Sequence, residues 1–199
     1  KRGELVLLCE ARWYPALSAR LHTSPHPCSL LRMPANVAPD AMVADWLRTR
    51  TGTSARIIVN LCNIASVASA SLSTDLKRRG VDYLDAPLTG TLRDGKQGKL
   101  TVIVSGPEAA FALARPALEV IGKRVFYMGK QPGAAQLMQQ INGSLASTLL
   151  AVACEVYVTG VKAGLTPDAM LQIFSNGSGR NAASAEIVPR QVVSRRFCH

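Results

Sequence analysis

The stretch Val81-Asp-Tyr-Leu-Asp-Ala-Pro-Leu-Thr-Gly90, answered later in the chain by Gly133-Ala-Ala-Gln-Leu-Met-Gln-Gln-Ile-Asn-Gly143, decides how this protein is read. Val81, Tyr83 and Leu84 suit a pleated surface, so the first piece predicts a strand. Pro87 stops it and Thr89-Gly90 opens it into a loop. The second piece begins a long, almost uncharged helix. A strand-end loop facing the first turns of a helix offers fixed polar groups on rigid supports, a common way to hold a small substrate.

Outward from that stretch the elements alternate. Arg56-Ile-Ile-Val-Asn-Leu61 reads as a buried strand of parallel type, a β-branched run between polar turns. Ser66 to Arg79 reads as a helix whose basic end, Lys77-Arg78-Arg79, complements the helix dipole and which Gly80 closes. The 81–86 strand gives way to a loop punctuated by Gly90, Gly95 and Gly98. Leu100-Thr-Val-Ile-Val-Ser105 is the next strand. Gly106-Pro107 then starts a helix to about Val120, with Pro107 as its first residue, and Val125-Phe-Tyr-Met128 is a further strand. This order is that of the second part of a doubly wound α/β domain, where ligands sit at the carboxyl ends of the strands.

From Gln136 the character changes. Leu137, Ile141, Leu145, Leu149, Val152 and Val156 recur at helical spacing, and Glu155 is the only charge between Gln131 and Val161. Gln136, Gln139, Gln140 and Asn142 shorten the apolar run, so the segment is read as a central buried helix and not a membrane span. Gly164 ends it, Thr166-Pro167-Asp168 caps a further helix to about Phe174, and residues 176–179 form a turn. A short helix is expected at 40–47. Residues 1–30 contain a possible strand at Leu5-Val-Leu-Leu8 but also Pro15, Pro25 and Pro27 with no sustained period; they are read as irregular or non-native. The basic tail from Val192 to His199 has no terminating element.

A hydrophobic content of 48% with 18% charged residues fits a soluble globular chain. The net charge of +10 is scattered and aromatics are only 5%, which argues against nucleic acid as a partner. Five widely spaced cysteines without a C-x-x-C point to a reducing, cytoplasmic setting. His22, His26 and Cys28 lack a fourth ligand and predict no metal site. The apolar run at 5–9 is too short for a signal peptide, and the chain opens at Lys1 and not Met, as a piece of a longer protein would.

The ordered set of Asp85-Ala-Pro-Leu-Thr-Gly90, then Gly98 through Gly106, Gly133-Ala-Ala-Gln136 and Lys162-Ala-Gly-Leu165 resembles the β-hydroxyacid dehydrogenase family, from about Leu31 to Phe197. That family includes 3-hydroxyisobutyrate, tartronate semialdehyde and 6-phosphogluconate enzymes. The resemblance implies a partial Rossmann-type sheet (residues 31–130) that binds NAD or NADP, followed by the start of an all-helical domain (131–199) entered through one long helix. It implies hydride transfer between nicotinamide and a small hydroxy acid or related carbonyl compound, in a homodimer. By motif, Met33 and Pro34 correspond to a strand-end pair packed on the dinucleotide and Asn63 to a residue near the nicotinamide. Thr89 and Gly90 correspond to the pair that binds the substrate carboxylate, with a hydroxyl and a backbone N–H as donors.

Two departures stand beside the resemblance. The family's proton-transfer lysine falls six residues after Gly133, where this chain has Gln139, followed by Asn142-Gly143. An amide donates a hydrogen bond but gives up no proton, and losing a general acid costs about 10²–10⁴ in rate. No G-x-G-x-x-G occurs, so the phosphate-cradling turn is expected to be missing. Alternative readings follow: a catalytically impaired fragment or non-catalytic relative, or an imine or carbonyl reductase variant. Each site residue also has a plainer role: Thr89-Gly90 a turn, Asn63 a strand end, Gln139 and Asn142 partners for backbone near a helix start.

Overall fold

In the five residues from Leu5 to Cys9 successive side chains enter opposite cores, and that alternation builds the sheet. Leu5, Leu7 and Cys9 pack into one apolar cluster while Val6 and Leu8 pack into another, the two-sided burial of a central parallel strand. The structure, a computed structural model, describes residues 4–25, 28–33 and 55–195. The expected helix at 40–47 and Pro34 lie outside the described residues.

The chain forms two compact units, Lys1–Gln139 and Gln140–His199. In the first, β1 (Glu4–Glu10), α1 (Tyr14–Leu21) and β2 (Cys28–Met33) are followed by β3 (Ala55–Asn60), α2 (Ser66–Arg78) and β4 (Asp82–Asp85). The strands lie in the order β2-β1-β3-β4, all parallel. A second sheet pairs β5 (Leu88–Thr89) antiparallel to β6 (Leu100–Val104), and β6 parallel to β7 (Gly122–Tyr127). An isolated bridge between Asp85 and Ser105 joins the ends of β4 and β6. Between β5 and β6 lies α3 (Leu92–Gln97), and α4 (Glu108–Ile121) joins β6 to β7. Leu17 and Leu21 of α1 share one cluster with Ala114 and Leu118 of α4, while Leu72 and Leu76 of α2 lie in the other. Helices thus cover both faces, as the alternating pattern predicts for a doubly wound α/β sheet.

Residues 1–30 are the first correction. Expected to be irregular apart from a possible strand at 5–8, the described residues 4–25 form with 28–33 a parallel strand–helix–strand unit in register from Leu5 opposite Cys28 to Glu10 opposite Met33. Pro15 does not break α1, because it sits in the first turn, where its missing N–H has no helical partner to lose. Trp13, Leu17 and Leu21 are buried, and Arg20 donates from Nε to the Val120 carbonyl at 2.7 Å, tying α1 to the end of α4. The glycine-rich loop is the second correction. Thr91 caps α3 by accepting from the Asp94 N–H, while the Asp94 carboxylate accepts from the Thr91 N–H at 2.8 Å, a reciprocal capping box. The Thr91 hydroxyl, donating to the same carboxylate at 2.6 Å, and the Thr91 N–H hold the Asp94 carboxyl below its ordinary range. Pro107 proves to be the N-cap of α4 and not its first residue.

The long helix α5 (Ala134–Lys162) starts in the first unit and supplies the main element of the second. There Ala153, Tyr157, Met170, Ala183 and Val188 form a small core with α6 (Pro167–Asn176) and a π-helical segment, Ala183–Val193, that the sequence reading did not foresee. Tyr157 packs edge-on to Phe174 at 5.3 Å and donates to the Ser184 carbonyl at 3.0 Å. Thr166 caps α6, as expected. The expectation that α5 is buried is not met within the single chain: Ile141, Leu145, Val152 and Val158 are all at least half exposed. By length and composition alone α5 is apolar enough to cross a membrane.

If the first strand–helix–strand unit belongs to the fold, truncating a fully buried α1 side chain must weaken the whole first unit. Leu17→Ala is expected to cost about 2–5 kcal/mol in urea unfolding followed by circular dichroism. An unchanged midpoint would mean residues 1–30 contribute nothing to the core.

Candidate active site at the strand ends

Asp85 ends β4 with its side chain fully buried, and five groups donate to it. One carboxylate oxygen accepts from the Ser69 hydroxyl in a short contact, from Tyr83 at 3.2 Å and from the Gln136 amide at 3.4 Å. The other accepts from Ser105 at 3.3 Å and from the Gly133 N–H at 2.6 Å. Ser105 in turn accepts the Ala135 N–H at 3.0 Å. Gly133 and Ala135 stand at the amino end of α5, whose first N–H groups have no helical partner and whose dipole favours a negative charge. Burial, reinforced by the neighbouring Asp85, pushes the Tyr83 phenol well above its usual range, so it stays a neutral donor. Gly133 has φ 85°, and a β-carbon there would come 2.5 Å from the Ser66 carbonyl oxygen. Only glycine allows so close an approach.

Gln136, one turn into α5, grips the loop after β3 on both sides of Asn63. Its amide donates to the Cys62 carbonyl at 2.9 Å, and its carbonyl accepts the Ile64 N–H at 3.2 Å. One further turn along the same face, the Gln139 amide reaches the Leu88 carbonyl at 3.4 Å, next to Thr89. The Gln139 carbonyl oxygen is buried without a partner. Thr89 is half-buried and Gly90 exposed, with φ 138° and a virtual β-carbon only 2.9 Å from Leu100. The first two turns of α5 therefore touch the loops carrying Asn63 and Thr89-Gly90.

Other expected residues lie elsewhere. Asn142 stands one turn beyond Gln139, in the second unit. Met33 ends β2 opposite Glu10. Asn63 directs its N–H and side-chain amide to Glu10, both at 3.4 Å. Asp85, Ser69, Ser105 and Asn60, which donates to Tyr83 at 3.1 Å, were not singled out from sequence. An acid two residues before a proline at a strand end is the signal that marks Asp85.

A parallel sheet with helices on both faces, followed by a helical unit entered through one long helix, defines a dinucleotide-binding α/β protein with an appended helical domain. The model for the NAD-binding domain of 6-phosphogluconate dehydrogenase matches residues 37–129, and that for the NAD-binding domain of NADP-dependent 3-hydroxyisobutyrate dehydrogenase matches residues 133–199. The chain belongs to the β-hydroxyacid dehydrogenase family, whose cofactor class is NAD or NADP. It is similar to 2-(hydroxymethyl)glutarate dehydrogenase of Eubacterium barkeri, with 31% identity over 71% of this chain and 46% of that protein. It is also similar to 3-hydroxyisobutyrate dehydrogenase of Pseudomonas aeruginosa, with 33% identity over 64% and 42%. The chain thus spans less than half the length of these curated relatives. Two solved structures share its fold. Mycobacterium tuberculosis 3-hydroxyisobutyrate dehydrogenase with L-serine has a TM-score of 0.76 at 19% identity, over 95% of this chain and 75% of that one. A reductive aminase from Aspergillus terreus has a TM-score of 0.71 at 16% identity, over 98% and 79%.

The residues at the first strand–helix turn do not fit the pyrophosphate of such a cofactor. A glycine turn with free N–H groups at a helix start is what holds it. Here the turn is Glu10-Ala-Arg-Trp13: the Trp13 N–H is spent on the Glu10 carbonyl at 3.0 Å, and Pro15 has none to offer.

The knot around Asp85 makes a stability prediction. Asp85→Asn keeps the shape but turns one acceptor into a donor facing other donors. It should lower stability by about 2–4 kcal/mol in urea unfolding. A change below about 0.5 kcal/mol would place the carboxylate outside the fold's essential contacts.

Proposed function

We propose that the chain carries the substrate end of an NAD(P)-dependent oxidoreductase of the 3-hydroxyacid dehydrogenase type, whose reaction is hydride transfer between nicotinamide and a small hydroxy acid. The observation that carries this is the spacing of Gln136 and Gln139. Gln136 hydrogen-bonds the loop on either side of Asn63 and Gln139 reaches the Leu88 carbonyl, so one helix face contacts both segments, which supports reading Thr89, Gly90, Asn63 and Gln139 as parts of one site. The Thr89 hydroxyl and the Gly90 N–H bind the acid's carboxylate, and Asn63 faces the nicotinamide side. Asn142 keeps only the substrate-side role that the family motif implies for it. Met33 and Pro34 keep their proposed place beside the cofactor.

A second reading, a chain impaired in that chemistry, is favoured by Gln139 itself. Its amide holds no transferable proton at the reacting oxygen, and it is turned toward the Leu88 carbonyl. Reduction of an imine or a related carbonyl is the variant in which a lysine is least needed. The apolar stripe of α5 is read as the surface that a second copy covers in a homodimer, with no membrane involved, because Gln136, Gln140 and Asn142 crowd its start. The described cysteines are all unpaired, which supports a cytoplasmic setting.

Acid binding is separable from turnover. Saturation-transfer NMR with L-serine and 3-hydroxyisobutyrate should report binding, and Thr89→Val should weaken it about tenfold, the loss of one charge-assisted hydrogen bond. Equal affinity in Thr89→Val, or no transfer at all, would count against the site.

A further inference from the structure

The sheet order β2-β1-β3-β4 places the reversal of winding between β1 and β3. The chain leaves β1 through α1, which packs on one face, and leaves β3 through α2, which packs on the other. The crevice at the carboxyl ends of these two strands is where an open α/β sheet takes its ligand. In this chain Glu10 lines that crevice. Its carboxylate accepts the Asn63 N–H and side-chain amide from across the crevice, both at 3.4 Å, and is held on its own side by the Arg12 guanidinium at 2.6 Å.

We propose that Glu10 acts as a built-in anion in this crevice, using the donors and the cation that a dinucleotide's pyrophosphate would need, so that this chain excludes NAD and NADP at their phosphate end. Three observations agree. The Asn63 N–H, pointing into the crevice, is already engaged by a negative charge. Arg12, the only basic residue in the Glu10–Trp13 turn, is paired with the same carboxylate. The negative charge is also felt by its neighbours: after burial, it helps push the Cys9 thiol up to about 12 and raises the Cys62 thiol as well. A pyrophosphate placed here meets a like charge at close range with no glycine N–H groups to offset it. The proposal rests on the reading of this crevice as the family's dinucleotide site, and concerns its phosphate half alone.

The test is calorimetric titration of the full chain with ADP-ribose, alongside NADPH followed by nicotinamide fluorescence. The unaltered chain should show no saturable binding of either probe into the millimolar range. Glu10→Gln, which keeps shape and removes charge, should bring ADP-ribose binding into the measurable range, a gain of about tenfold or more. Glu10→Gly, which also frees the turn, should gain at least as much. The urea midpoint of each variant establishes folding, and the near-isosteric Gln variant carries the test if Gly unfolds. Micromolar NADPH binding by the unaltered chain would overturn the proposal, as would folded Glu10 variants that gain nothing. Acid binding at Thr89 is read separately by NMR, so a failure there is not confused with a failure here.

Discussion

Everything at the strand ends depends on one buried carboxylate. Asp85 is fully removed from water, and a charge in that position is tolerated only when its lone pairs are filled. Two of its donors are backbone and side-chain groups of the α5 start, Gly133 and Gln136; the others come from α2, β4 and the residue after β6. The carboxylate thus converts three separate needs into one arrangement. The free N–H groups of a helix start need an acceptor, buried hydroxyls need a partner, and the two sheets need a join. That join is reinforced by reciprocal backbone bonds between Asp85 and Ser105 at 2.9 and 3.0 Å.

The consequence is positional. With Gly133 and Ala135 fixed, the helical period decides where later side chains fall, and Gln136 and Gln139 emerge one turn apart on the same face. A side chain at 139 therefore inherits its placement beside Leu88 and Thr89 whatever its chemistry. A glutamine can therefore stand at 139, where the family resemblance implies a lysine, without disturbing the fold.

The sequence made the region from 55 to 128 legible because strand and helix periods there are clean and the punctuating residues are orthodox. It hid α3 because three glycines drew the eye, although Thr91 and Asp94 already stood at capping-box spacing. Near the start of the chain the strand at 5–8 is legible but the helix after it is not, because Pro15 counts against a helix everywhere except in its first turn. Apolarity along α5 correctly predicted a long helix, but composition does not say what covers it. Asp85 was only partly legible: an acid two residues before a proline at a strand end marks the position, but its five donors come from residues 69 to 136, and no local pattern announces a knot assembled over that span. The candidate substrate residues were easier, since Thr89-Gly90 and Gly133 are tied to a linear motif.

On the proposal that Glu10 excludes the pyrophosphate, the chain keeps its fold more faithfully than its cofactor grip, for a reason built into α/β architecture. A parallel strand–helix–strand unit needs only a two-sided apolar strand, a helix with one apolar face and a connection of tolerable length. Residues 4–25 and 28–33 meet those conditions and dock through Leu17, Trp13 and the Arg20–Val120 bond. The family models begin matching only at residue 37, yet the structural likeness extends over nearly the whole chain. Holding a pyrophosphate asks for something narrower: backbone N–H groups freed by glycine, in a turn with no competing carboxylate. Nothing in the packing of β1 or α1 enforces that, so Glu10 can occupy the turn while every core contact beneath it remains satisfied. Fold and cofactor grip are set by different residues of the same unit, and only the first is constrained by the hydrophobic core.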